Sequence, residues 1–128
     1  MEFTREGFYL LLNAAKPLWL VGADLSQADL RWANLHKANL IRSNISGTDL
    51  RWANLSGAAL IGANLSETVL TEADLREADL RWANLDQAQL QGADLTGVNL
   101  TGASITDEQL AEASSFSGAI MPDGRKSG

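Results

Sequence analysis

From Leu25 to Ile105 every fifth residue is Leu or Ile, seventeen consecutive positions without a break. The residue two before each is small: Ala in thirteen cases, otherwise Ser43, Thr48, Thr68 or Val98. The residue between them is usually Asp or Asn, as at Asp24, Asn34, Asn54, Asp74 and Asp94. A period of five suits neither regular element. On an α-helix every fifth side chain drifts by about 140° and never forms a stripe. On a flat strand successive fifth residues fall on opposite faces. The pattern fits a square coil in which each five-residue unit is one side. The small residue and the Leu point inward, the Asp or Asn points out, and two further outward residues turn the corner. Four units close a coil of 20 residues. Coils then stack through backbone hydrogen bonds at roughly 4.8 Å, giving a solenoid roughly 20 Å tall. Leu35, Leu55, Leu75 and Leu95 form one inward column. Gly47, Gly57, Gly62, Gly92, Gly97 and Gly102 all lie two residues after a Leu or Ile of the series, where a corner needs positive φ.

A solenoid exposes core and unpaired edges at both ends, so caps are expected. Residues 5–15 place Phe8, Leu11, Leu12 and Ala15 at helical spacing, and Pro17 stops that run. The segment 1–19 therefore reads as an N-terminal cap helix with a lead-in, followed by the β-helix over 20–105. Thr106-Asp107-Glu108-Gln109 is a capping-box pattern. The segment 106–124 reads as a C-terminal cap, a short helix with Leu110 and Ala113, then a closing strand through Phe116, Ala119, Ile120 and Met121. Residues 125–128 are expected to be a mobile tail.

Units such as Ala23-Asp24-Leu25-Ser26-Gln27 resemble those of the pentapeptide-repeat family, over about two thirds of the chain. The departures are mild: Ala59, Val69, Gln89 and Ser104 stand where Asp or Asn is usual. The resemblance implies an all-β solenoid, a right-handed quadrilateral β-helix, here with short α-helical caps at both ends. The Thr-Asp-x-Gln-Leu and Met-Pro-Asp-Gly stretches near the C-terminus are similar to those of bacterial, especially cyanobacterial, members.

Composition narrows the function. Leu and Ala dominate the apolar residues, which suits a repetitive core, and the absence of Cys excludes disulfides and thiolate chemistry. The net charge of −6 is unevenly spread. Residues 24–65 set Asp24, Asp29 and Asp49 against Arg31, Lys37, Arg42 and Arg51, a net of +1. Residues 66–105 carry seven acids against Arg76 and Arg81, a net of −5. Direct nucleic-acid binding through a broad basic surface is not expected. No apolar run approaches membrane-spanning length. Val21-Gly22-Ala23 resembles a signal-peptide cleavage site, but cleavage there would open the repeat. A cytoplasmic location is expected, with periplasm or thylakoid lumen as alternatives.

No catalytic, metal or cofactor site is apparent. His36, the single histidine, sits at an outward corner beside Lys37, and Ser56 one coil away has no buried acid behind the pair. The carboxylates recur at outward positions, Asp29 toward Asp49 and Asp74 toward Asp94, as a solvated wall would have them. The most distinctive outward feature is Asp-Leu-Arg-Trp-Ala-Asn-Leu, at Asp29–Leu35, Asp49–Leu55 and Asp79–Leu85. The first two copies lie one coil apart, so Arg31 stacks on Arg51 and Trp32 on Trp52; the third lies on the opposite side. Such an aromatic and Arg cluster is the material of a protein-interaction hot spot. The bland alternative is segmental duplication, with each Trp flat on the wall and each Arg paired to its Asp.

The expected function is thus a non-enzymatic structural or protein-interaction scaffold whose partner is another protein, as monomer or weak dimer through an end cap. The resemblance implies an alternative: some family members act on DNA gyrase by imitating the shape and charge of duplex DNA. Glu67, Glu72, Asp74, Glu77 and Asp79 would be the acidic surface for that role.

Overall fold

The computed structural model describes residues 17–127. The helix expected near the N-terminus falls within residues 1–16, outside the described part. From Trp19 onward the backbone forms parallel bridges to the residue 20 positions later: Trp19 with Asn39, Asp24 with Asn44, Asp29 with Asp49, Asn34 with Asn54, and so on to Asn84 with Ser104. The bridges fall at four positions per coil, which defines four faces. The first face carries residues 19, 39, 59, 79 and 99; the second, third and fourth follow at intervals of five. Each bridge is two-sided. Leu55 donates its N–H to the Asp74 carbonyl at 2.7 Å, and Asp74 donates to the Ala53 carbonyl at 2.9 Å.

The interior is built as the spacing requires. Every member of the Leu/Ile series from Leu25 to Leu100 is buried, and Leu20 extends it one unit earlier. Ile105, the last member, is only half-buried because the coil ends there. The small residues fill the space between the Leu columns, and all but Ala28 are buried. Larger side chains at those positions would overfill a core this narrow.

At each corner the residue three after the Leu returns a hydrogen bond to the Leu carbonyl, as Ala53 does to Leu50 at 3.0 Å. The Asp or Asn before the Leu closes the same corner from outside. Its Oδ1 accepts from the backbone N–H two residues on, for example Arg31 to Asp29 at 3.2 Å and Ser56 to Asn54 at 3.0 Å. This is why short polar Asx side chains recur there.

The C-terminal end is finished differently from the expectation in two respects. Helix α1, Asp107–Glu112, carries the capping box at Thr106 and Gln109 and buries Leu110. It stands in place of one side of the last coil instead of lying beyond it. Gln109 Nε2 donates to the carbonyls of Leu85 and Ala88 at 2.7 and 2.9 Å, and Gly92 donates to Glu112 at 3.0 Å. The helix adds one residue to the circuit, so Ser115 bridges Asp94 and Ile120 bridges Asn99 at a separation of 21. What was expected as a separate closing strand is therefore a further part-coil on the fourth and first faces. Residues 125–127, expected as a loose tail, are hydrogen-bonded. The chain reverses after Met121, Lys126 pairs antiparallel with Ile120, and Ser127 donates to Ala119 at 2.6 Å.

Candidate interaction surface

The corner residue two after each Leu has φ near +60°, whether or not it is glycine. Positive φ at the third residue of a turn is the mark of a type II turn, and glycine takes it without strain. Ten such corners hold a residue with a side chain, among them Trp32, Trp52 and Trp82 at φ of 63°, 61° and 61°. A bulky residue is rare in this region and costs roughly 1–2 kcal/mol there. What offsets it is contact along the solenoid axis. The corner side chain lies over the corner of the next coil, and where that residue is glycine it lies directly on the backbone. Trp82 covers Gly102, Glu77 covers Gly97 and Gln27 covers Gly47 so closely that a Cβ there would collide with them.

The third corner, between the third and fourth faces, breaks that pattern. Trp32 covers Trp52 instead of a glycine, with ring centroids 4.9 Å apart and planes within 14°. The outer ring stays 71% exposed and the inner one 40%. Beside them runs a charge ladder. Arg31 donates to both carboxylate oxygens of Asp29 at 2.9 and 2.8 Å, and Arg51 to those of Asp49 at 2.9 and 2.6 Å. Arg31 also reaches Asp49 at 3.9 Å, which links the two coils. The Arg31 hydrogen bonds hold the Asp29 carboxyl down to about 2, and Arg51 lowers Asp49 in the same way. The Arg51 guanidinium carbon lies 5.5 Å from the Trp52 ring centroid, within cation–π range. All four residues singled out from the sequence, Arg31, Trp32, Arg51 and Trp52, are thus brought together. Their fixed charges are answered within the protein, and the uncommitted surface is aromatic.

The acidic set is not brought together. Glu67, Glu72 and Glu77 occupy three successive corners of one coil, and Asp74 and Asp79 lie on two different faces. The two aspartates are also neutralised, by Arg76 and Arg81 at 2.7 Å each. Those hydrogen bonds lower both carboxyls below their ordinary value. His36 Nδ1 meets Ser56 Oγ at 2.7 Å, but Ser56 Oγ also donates to Asn54 at 2.6 Å and the pair is exposed. Among the described residues no group of His, Asp and Glu side chains is arranged to hold a metal ion. None of their helices is long and apolar enough to cross a membrane.

One surface escaped the reading of the sequence. Trp19 is 75% exposed on the first face, and Val21, Ile41 and Ile61 follow one another up the first corner. Writing the sequence in rows of 20 aligns them, but the repeat motif draws the eye to positions that recur every five.

In comparison with known proteins, the family model described as pentapeptide repeats matches in eight copies, over residues 20–57, 48–87 and 73–107. No curated protein matches the chain. Among solved structures, a pentapeptide repeat protein from Nostoc is 33% identical, with a TM-score of 0.62, covering 77% of this chain and 97% of that one. A pentapeptide repeat protein from the thylakoid lumen of Arabidopsis thaliana is also 33% identical, with a TM-score of 0.58, over 72% and 71% of the two chains. QnrB1, a plasmid-mediated fluoroquinolone resistance protein, is 20% identical with a TM-score of 0.45, over 80% of this chain and 55% of that one. That last likeness carries no argument about function.

Proposed function

This chain belongs to the pentapeptide-repeat family, a family of right-handed β-helix solenoids, and from that premise we propose that it is a non-enzymatic scaffold that binds another protein. The observation that carries the reading is the Trp32–Trp52 stack. Two large rings are held exposed, in a backbone conformation that disfavours them, beside a charge ladder that is already satisfied. A corner needs none of this for folding, since seven corners of the repeat manage with glycine. Exposed aromatics with flanking Arg are enriched where partner proteins anchor. The partner is expected to insert an apolar or planar group against the outer Trp32 ring, with the aspartate-held arginines framing it. No cofactor takes part, and nucleic acid is not a ligand. A cytoplasmic location is proposed with it.

The gyrase-directed alternative draws little support from the geometry. A DNA mimic needs a continuous acidic stripe. Here the acids wind around the solenoid, and two of the five are paired with arginine.

The test is affinity capture from the native host with the protein and its Trp32→Gly/Trp52→Gly variant. Glycine is the appropriate truncation because both positions have positive φ. A partner held by the parent and lost or weakened at least about tenfold by the variant supports the reading, as expected for an aromatic anchor. Equal capture by a variant with unchanged circular dichroism assigns the rings to wall covering.

A further inference from the structure

The first corner, between the first and second faces, differs from the other three in both apolarity and charge. Its outward position one after the Leu reads Val21, Ile41, Ile61 and Arg81 in successive coils, whereas the same position is polar in each of these coils at every other corner. Five large apolar side chains are exposed among the described residues. Trp32 and Trp52 form the stack, and the other three, Trp19, Val21 and Trp82, lie along this edge at 75%, 38% and 66% exposure. Trp19 stands beside Val21 on the first face, and Trp82 stands on the same corner three coils later.

The charges follow the same division. In these four coils the first corner is the only one whose two outward positions hold no carboxylate; the others carry Glu67 and Asp86, Glu72, and Glu77. The aspartates on the flanking faces are engaged, Asp79 by Arg81 at 2.7 Å and Asp24 by the Ser26 hydroxyl at 2.7 Å. Arg42, on the corner itself, is the one described arginine with no carboxylate in ion-pairing range among the described residues. Its stem lies on Gly62, with Cγ 3.5 Å from where a Cβ would stand, and the residue is exposed.

A corner of a square coil is convex, and stacking sets its residues in a row roughly 15 Å long from the first coil to the fourth. Such an edge meets a planar surface along its whole length and offers no groove to a partner's side chain. Exposed indoles at both ends, branched aliphatics between them and an Arg with its stem along the wall are what a bilayer–water interface accepts. The indole has an apolar body and a polar N–H, and a guanidinium reaches headgroup phosphate while its stem stays on apolar surface. In a chain of net charge −6, this is the edge that approaches an anionic surface without a carboxylate at the contact.

We propose that the first corner is a peripheral membrane-binding ridge for bilayers containing anionic lipid. Trp19, Val21, Ile41, Ile61 and Trp82 enter the boundary between headgroups and acyl chains, and Arg42 meets lipid phosphate. The ridge lies on the bilayer and does not span it. The corner is diagonally opposite Trp32 and Trp52, so the proposal does not rest on the function assigned to that surface, and a chain docked in this way turns the Trp stack toward solvent. With one apolar row and one arginine the binding is reversible, half-maximal at roughly 0.1–1 mM accessible lipid, the range of a single marginal anchor.

Flotation with vesicles of phosphatidylcholine and about 30% phosphatidylglycerol at low ionic strength tests this. The full chain should float with these vesicles, and less with phosphatidylcholine alone. Ile41→Ser/Ile61→Ser should weaken binding at least about tenfold. Ser46 and Ser66 hold the same position at the second corner, so the coil accepts the change. Arg42→Glu should weaken it at least about tenfold as well, whereas Lys37→Glu, the same change of charge on the fourth corner, should alter it less than about twofold. Glu67, Glu72 and Glu77 already adopt the positive φ that both substitutions need. The circular dichroism of all three variants should match the parent's. A parent that does not float at up to about 5 mM lipid overturns the proposal and leaves the ridge to a protein, a second copy included. So does flotation that the serine pair leaves intact, or an equal loss in Arg42→Glu and Lys37→Glu, which is bulk repulsion and not contact at this corner.

Discussion

Ser43 lines the inward column that also holds Ala23 and Ala63, and its hydroxyl is buried without a hydrogen-bond partner. The two other polar residues of the core are satisfied: Thr48 donates to the Ile45 carbonyl and Thr68 to the Leu65 carbonyl, at 2.8 Å each. A buried hydroxyl left unpaired is destabilising, and an alanine in its place leaves almost no void. Ser43→Ala should therefore stabilise the protein by about 1 kcal/mol in urea melts. A loss of stability would show that the hydroxyl has a partner. The inward position of Ser43 was legible from the period alone, but its lack of a partner was not, because Thr at the same repeat position reaches a carbonyl and Ser does not. The corners show the same limit. The glycines indicated positive φ, yet Trp32, Arg42, Glu72 and seven other side chains adopt it as well, most of them lying on the corner of the next coil, a contact that no local propensity encodes.

Helix α1 shows how far an element can be read from its own residues. The capping box at Thr106 and Gln109 was visible as a pattern, and the structure shows both of its hydrogen bonds, at 3.1 and 2.8 Å. The second task of Gln109 was not visible. Its amide nitrogen serves the Leu85 carbonyl, which also accepts from Ala88, and the Ala88 carbonyl, which has no strand of a further coil to pair with. Leu110 also keeps the period of five inside a helix and is buried under the last coil. Gln109→Ala removes the side-chain half of the box and leaves the Ala88 carbonyl without a donor. It should cost about 1–3 kcal/mol. Hydrogen exchange should localise the damage, with the Gly92 amide, bonded to Glu112, losing protection while amides of the second and third coils keep theirs. Uniform protection in the variant would mean that Leu110 alone holds the cap. The return of Lys126 onto Ile120 was read as a tail because Pro122-Asp123-Gly124 signals only a turn. Which edge the chain pairs with after a turn is a tertiary fact.

Along the described repeat, the Asp and Asn side chains share one structural role, and the aspartates add an electrostatic one. Each closes a corner by accepting a backbone N–H, and only the aspartates titrate. Asp24, Asp29, Asp49, Asp74 and Asp79 all sit below their ordinary pKa, each chiefly through a side-chain hydrogen bond from the residue two positions on. A carboxyl whose folded pKa is depressed binds protons more readily when unfolded. Its stabilisation is complete above the unfolded value of 3.8 and is lost as pH falls through the folded one, about 2 for Asp29. Stability should therefore be flat from neutral pH down to about 4.5 and fall between there and pH 2, through several small exposed contributions. The solenoid itself should persist, because Asn34, Asn39, Asn44, Asn54, Asn64, Asn84 and Asn99 close their corners at any pH. The triple variant Asp49→Asn/Asp74→Asn/Asp79→Asn separates the two roles. It keeps the turn acceptors and discards the charges, so its thermal midpoint at pH 7 should be slightly lower and its decline toward pH 2.5 shallower than the parent's. Parallel acid profiles for parent and variant would place the acid sensitivity outside Asp49, Asp74 and Asp79.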